Sequence, residues 1–228
     1  LVELLRLRVP GITGILLNHN KRNTNVILGR TCTLLWGSET ISDILCGLRF
    51  DISPLSFYQV NRSQAELLYE KAAEYAALTG KEKLLDLYCG AGTIGLSMAK
   101  QAGSLIGVEI IPEAVENARE NARKNGIENA EFLCADAAEA AELLVTRGEK
   151  PDVVILDPPR KGCTPELLAS VAKMSPERVV YVSCDPATLA RDLRGFRELG
   201  YSPKEITPCN LFPCTAHVEC VCLLTKNK

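Results

Sequence analysis

The chain reads as an α/β protein: a doubly wound, seven-stranded Rossmann-like sheet preceded by a small, partial antiparallel β-region. Three observations predict this. From residue 61 onward, apolar runs of strand length alternate with helical patterns, the order that builds a mostly parallel sheet. A glycine loop, Gly90-Ala91-Gly92-Thr93-Ile94-Gly95, joins one such run to a helix. Residues 1–55 instead hold short β-type runs split by Gly and Asn.

In residues 1–55 the candidate strands are 12–17, 25–29, 31–37 and 48–52, which read as part of a central β-domain. Residues 56–228 form the main domain. Ser63-Gln64-Ala65-Glu66 has the form of a capping box and predicts a helix to about residue 78, ended near Gly80. Strands follow at 83–88, 104–109, 130–134, 152–156 and 178–183. Helices lie between and after them at 93–101, 112–125, 137–146, 165–173 and 186–199. Pro112, Pro165 and Pro186 suit first helical turns, and Gly126 and Gly200 suit carboxyl caps. The closing runs 201–207 and 217–224 have no helix between them, so they are expected to pair antiparallel.

A length of 228 residues allows one large domain, alone or with a small appendage. The net charge of −2 gives no global field towards nucleic acid, so phosphate affinity would need local patches or residues beyond this chain. No apolar run nears the ~20 residues of a membrane span. The opening residues are too short for a signal peptide and lack a cleavage pattern. Because the chain begins with Leu1 and holds no Met before Met98, it is expected to be a fragment. Ten cysteines would suit a disulfide framework only in a short, loop-rich secreted chain. Here Cys89, Cys134, Cys184, Cys220 and Cys222 lie in or beside apolar runs, as reduced thiols do. A cytoplasmic location is expected.

The chemistry concentrates at two predicted strand ends. Val179-Val180-Tyr181-Val182-Ser183-Cys184-Asp185-Pro186 places Cys184 just before a helix opened by proline. A helix amino end lowers a thiol's pKa, so the setting is a nucleophile's. Asp157 ends the neighbouring run, and the two suit covalent chemistry on an electron-poor ring. Gly90 and Gly92 would let the loop approach a ligand closely, while Glu109 ends the next strand where a carboxylate binds ribose hydroxyls. Nicotinamide and S-adenosylmethionine enzymes share that pattern. The only histidines, His19 and His217, do not sit where hydride transfer needs one, which favours S-adenosylmethionine. Asp136 either reaches the adenine end or caps the following helix. Cys89 is expected to pack beside the loop.

Glu219 and His217 are two apart and would share a strand face, with Cys220 and Cys222 turned the other way into the core. The cluster Cys209, Cys214, His217, Cys220 and Cys222 fits no ligand spacing, so no metal is expected. Arg191, Arg194 and Arg197 recur at helical spacing, and Arg160 and Lys161 follow Asp157. All five suit either phosphate contacts or a solvated face.

Six segments in order resemble the RNA uracil-C5 methyltransferases. They are Ser56 to Asn61, Asp86 to Gly92, Gly107 to Glu109, Asp157 to Gly162, Val182 to Asp192 and Phe212 to Glu219. The resemblance implies S-adenosylmethionine held by Gln59, Tyr88, Glu109 and Asp157, with Asp136 or its neighbour at the adenine. It also implies Cys184 as nucleophile, Glu219 as proton-abstracting base and Asp157 as a contact to the ring. The implied substrate is a uridine in structured RNA, first large-subunit (23S) ribosomal RNA, with transfer RNA as the close alternative. Two readings from other classes stand beside it: an NAD-dependent oxidoreductase and a non-catalytic RNA-binding factor. Family members usually carry an amino-terminal OB-like module, and many hold a four-cysteine iron–sulfur site. No cysteine precedes Cys32 here, and neither feature is read in this chain.

Overall fold

The computed structural model describes residues 1–21, 27–29 and 31–227. It opens with a short helix that the sequence patterning did not reveal, α1 (Val2–Arg8), which buries none of its residues. Strands β1 (Gly14–His19) and β2 (Thr31–Gly37) pair antiparallel as a two-stranded ribbon. Of the expected strand at 25–29, residues 25 and 26 lie outside the described residues, and 27–29 form no strand. A second hairpin joins β3 (Ile41–Leu45) to the expected β4 (Leu48–Ile52). The strand β3 is not evident in the sequence because Ser42 and Asp43 break its apolar run.

Helix α2 (Arg62–Ala76) starts earlier than the capping-box pattern suggests. Its cap is Asn61, whose side chain accepts from the Gln64 amide; Ser63 instead donates to Asn61, and Glu66 accepts from the Cys46 amide. The box is therefore not formed, because Asn61 already fills the capping position.

Strand–helix alternation then runs as expected: β5 (Lys83–Leu87), α3 (Thr93–Met98, with a 3-10 turn at Ala99–Gln101), β6 (Ser104–Glu109), α4 (Pro112–Lys124), β7 (Ala130–Cys134) and α5 (Ala137–Thr146). It continues with β8 (Val153–Leu156), α6 (Pro165–Met174), β9 (Arg178–Ser183), α7 (Pro186–Glu198), β10 (Tyr201–Cys209) and β11 (Glu219–Lys226). The seven strands are ordered β10-β11-β9-β8-β5-β6-β7. β5 to β9 are parallel, and β11 is antiparallel to both of its neighbours. Pro112, Pro165 and Pro186 each begin a helix, and Gly126 and Gly200 take the left-handed backbone that follows a helix end.

Strand alternation divides the core between the two faces of the sheet. Leu84, Ile155, Val182 and Val221 pack with α2, α3 and α4 on one face. Leu85, Val154, Leu156, Tyr181, Cys220 and Cys222 pack with α5, α6 and α7 on the other. All four residues of β8 are buried, as a central parallel strand requires. The expected inward turn of Cys220 and Cys222 is observed. His217 falls before β11 begins, so it does not share a strand with Glu219.

The β3–β4 hairpin docks on the first face through Leu45, Leu48, Phe50 and Ile52. One wholly buried side chain ties it to the glycine loop. The Asp51 amide donates to Asn121 Oδ1 at 2.9 Å, and Asn121 Nδ2 donates to the Ala91 carbonyl at 3.2 Å. Asn121→Ala would orphan two buried backbone groups, and the expected loss is about 1–3 kcal/mol by urea denaturation. A loss within the roughly ±0.5 kcal/mol typical of surface changes would show that the bridge contributes nothing.

Candidate active site

Three strand ends converge at the carboxyl edge of the sheet. Ile155, Val182 and Val221 share one face, so residues two further along, Asp157 and Cys184, and two before, Glu219, point to that face as well. Cys220 pairs with Ser183, which sets Glu219 beside Cys184 on the adjacent strand. On the other flank the Asp157 amide donates to the Leu87 carbonyl, tying it to the strand that feeds the glycine loop. The three residues singled out for chemistry therefore meet. Glu219 is buried, while Cys184 and Asp157 are half-buried.

Acidity in this cluster is displaced upward throughout. Burial raises Asp157 well above the usual carboxylate range, and the charges of Glu219 and Asp86 add to it. Burial also raises Glu219, with the Arg160 guanidinium opposing. The thiol of Cys184 moves the same way, by burial first and then by the charges of Glu219 and Asp157, with Arg160 again opposing. This corrects the expectation of a thiol acidified by the helix end. The open amides of α7 are already taken: Asp185 accepts from Ala187 N at 2.9 Å and Thr188 N at 3.0 Å, so its carboxylate, not the sulfur, receives the helix terminus.

The glycine loop is formed as expected. Gly92, at φ +82°, caps α3, and a Cβ there would come within 2.9 Å of Leu96. Tyr88 precedes the loop in the left-handed region, at φ +67°, which is uncommon for a residue with a side chain. Glu109 accepts from Gly90 N at 3.1 Å and from Ile111 N at 2.9 Å, so the expected ribose ligand also braces the loop. Asp136 caps α5 through Ala138 N at 2.9 Å. Gln59 is buried in the segment leading to α2. Cys89 is buried as expected, whereas Cys134 is exposed.

Sequence reasoning misses Asp86, because one acidic residue in an apolar strand reads as part of the loop motif and nothing more. It is buried with one oxygen, Oδ2, accepting from Gly95 N at 2.9 Å, and the other without a partner. Burial raises its pKa to about 7. An orphaned buried carboxyl beneath a glycine cradle fits a ligand carrying a cationic group. Arg191 is likewise redefined. Its guanidinium, though exposed like those of Arg194 and Arg197, is held by the Lys161 carbonyl at 2.8 Å and by Asp192. Among the described residues, no group of three or more His, Cys, Asp or Glu could hold a metal, and no helix is long and apolar enough to cross a membrane.

The family model described as tRNA (Uracil-5-)-methyltransferase matches residues 47–227. The chain belongs to this family. An uncharacterized RNA methyltransferase of Clostridium acetobutylicum is 50% identical over 226 residues, 99% of this chain and 49% of the relative. One from Enterococcus faecalis is 51% identical over 96% of this chain and 48% of its own. The chain thus spans about half the length of the curated relatives it matches. Among solved structures, the Pyrococcus abyssi tRNA (uracil-54, C5)-methyltransferase in complex with S-adenosyl-L-homocysteine superposes with a TM-score of 0.77 at 36% identity. The match covers 90% of this chain and 49% of that one. A SAM-dependent methyltransferase of Agrobacterium tumefaciens shares the fold, with a TM-score of 0.65 at 16% identity over 87% of this chain and 74% of that one.

The displaced thiol has a direct readout. Alkylation of Cys184 by iodoacetamide, followed by peptide mass spectrometry across pH, is expected to give a midpoint above the ~8.5 of free cysteine. In Glu219→Gln the midpoint should fall, because a like charge is removed. A wild-type midpoint below that of free cysteine would contradict the upward displacement by burial and neighbouring carboxylates.

Proposed function

We infer that this chain is the catalytic part of an enzyme that methylates C5 of a uridine in RNA, with S-adenosylmethionine as cofactor. The observation that carries the reading is the register that sets Cys184, Asp157 and Glu219 on one face at the sheet edge, beside the glycine loop. Family membership and the S-adenosyl-L-homocysteine-bound solved relative support it.

Residues around the loop would hold the cofactor: Gln59, Tyr88, Gly90, Gly92, Glu109 and Asp157, with Asp136 at the adenine. The orphaned Asp86 oxygen and the raised Asp157 carboxyl suit its positive charge. When bound, the cofactor supplies an electrophilic methyl group. The chain's own groups do the rest. Uracil C5 is too weak a nucleophile unaided; Cys184, after losing its proton to solvent, adds as the thiolate to C6, and the C5=C6 electron pair moves towards the C4 carbonyl to make C5 the carbon of an enolate. After C5 is methylated it still carries its hydrogen. Glu219 removes that proton, which is acidic beside the carbonyl, and the electron pair expels the sulfur to restore the ring. Burial suits Glu219 to the task, since its raised pKa brings it closer to neutral pH. The uridine must leave its stack to reach the pocket.

Large-subunit ribosomal RNA is the first reading of the substrate, and no residue of the sequence separates it from transfer RNA. Transfer RNA is the second reading, favoured by the solved relative named for tRNA uracil-54. On this reading residues 1–55 belong to a central β-domain that presents the RNA, and the enzyme works in the cytoplasm.

With labelled S-adenosylmethionine and RNA, Cys184→Ala is expected to abolish methyl transfer while S-adenosylhomocysteine still binds. Glu219→Gln should slow turnover by about 10²–10⁴-fold and accumulate a protein–RNA adduct stable to denaturing gels. Full activity in Cys184→Ala would end the mechanism. Mapping 5-methyluridine across RNA from cells lacking the gene separates the two substrates: a site lost from ribosomal RNA supports the first reading, and one lost from transfer RNA the second.

A further inference from the structure

Asp192 lies on α7, beyond the nucleophile, and is almost wholly buried, yet its hydrogen bonds go to none of the three reacting side chains. Its carboxylate joins α7 to β9 and to the turn that follows β8. Oδ2 accepts from the Cys163 amide at 2.8 Å and from the Tyr181 hydroxyl at 2.6 Å; Oδ1 accepts from Arg191 Nε at 2.8 Å. Arg191 extends the grip, donating to the Lys161 and Cys163 carbonyls at 2.8 and 3.3 Å. The segment so held is the turn after Asp157, closed by Gly162 N on the Pro159 carbonyl at 2.8 Å. Gly162 has φ +72°, and a Cβ there would lie 2.5 Å from both Arg191 Nη2 and Asp192 Oδ2, so the turn sits flush on this carboxylate.

The connection therefore runs from α7 to the turn that begins at Asp157 and to β9 just before Cys184. Asp157 and Tyr88 stand at neighbouring strand ends flanking the glycine loop. We propose that Asp192 is a positioning residue for cofactor binding, acting through Cys163, Tyr181 and Arg191 to set the Asp157–Gly162 turn. The proposal rests on the cofactor reading above and adds a residue that does not itself meet the ligand. A surface helix residue could be charged for solubility alone, but a buried carboxylate ringed by N–H and O–H donors is fixed in place by them.

Asp192→Asn keeps the shape and removes the charge. Whichever way the carboxamide turns, its NH₂ faces a donor, either the Arg191 guanidinium or the Cys163 amide, so one side of the joint opens. Calorimetric titration of the protein with S-adenosylhomocysteine is expected to show Kd raised at least about tenfold, roughly a 1.4 kcal/mol effect. Trypsin should also cut faster after Arg160 or Lys161 in the released turn. Phe196→Leu, a buried change on the same helix, is the control: it should lower the melting temperature and leave Kd and the cutting rate unchanged. If Asp192→Asn lowers the melting temperature as Phe196→Leu does with Kd unmoved, Asp192 is only structural and the proposal fails. Should Asp192→Asn not fold, Tyr181→Phe decides, since it removes one hydroxyl and keeps the ring. A Kd raised threefold or more supports the joint, and an unchanged Kd overturns it. Wild-type protein that binds no S-adenosylhomocysteine would sink the cofactor reading and this proposal with it, whereas wild-type binding with unchanged variants sinks the proposal alone.

Discussion

Strand periodicity is the constraint on which the site depends. Successive residues of a strand face opposite sides of the sheet, so a group's chemistry is available to its neighbours only if register and parity both agree. Asp157, Cys184 and Glu219 come from three adjacent strands, one of them antiparallel to the other two, and all three have the parity of the Val182 face. A one-residue slip of β11 would turn Glu219 to the opposite face and bring Cys220 beside Cys184. The wholly buried Val221 and Cys222, which pack into different halves of the core, oppose that slip from both sides. Core packing thus guards the register that brings the three groups together.

Gathering these groups has an electrostatic cost. Asp86, Asp157 and Glu219 share one region, partly or wholly removed from water, and each is harder to ionise than in solution. The cation that opposes this at both Glu219 and Cys184 is Arg160, which is itself exposed. An uncompensated concentration of acid is unfavourable for folding but favourable for taking up a positive ligand, and the two facts have one origin. The same crowding keeps Cys184 protonated more than an isolated thiol would be. The helix terminus that could have acidified it is already occupied by Asp185, so in the proposed mechanism its reactivity comes from placement and from a change of charge nearby.

Much of this was legible in the chain itself. The glycine loop, the proline-led helices and the alternating apolar runs are local signals, and each appears in the structure within a few residues of where the pattern puts it. The convergence of Asp157, Cys184 and Glu219 was legible only because their motifs come in a recognisable order. What escaped was of two kinds. Short elements with mixed composition, α1 and β3, are too brief for a periodic signal. Side chains whose role is set by distant partners carry no signal at all: Asn61 against Ser63 for the cap of α2, Arg191 holding the carbonyls of a distant turn, and Asp192 buried among donors from far back in the chain. A solvent-facing arginine and one holding two carbonyls look alike in sequence.

The place of β11 has a further consequence. It is made after β9 and β10 yet lies between them, paired to both. A growing polypeptide that has completed the strand of Cys184 still lacks Glu219, the proton acceptor of the proposed mechanism. β11 can join the sheet only once β10 has been made, alone or with β10 as a hairpin. On that mechanism, synthesis passes through an interval in which the thiol is present and the centre is inert.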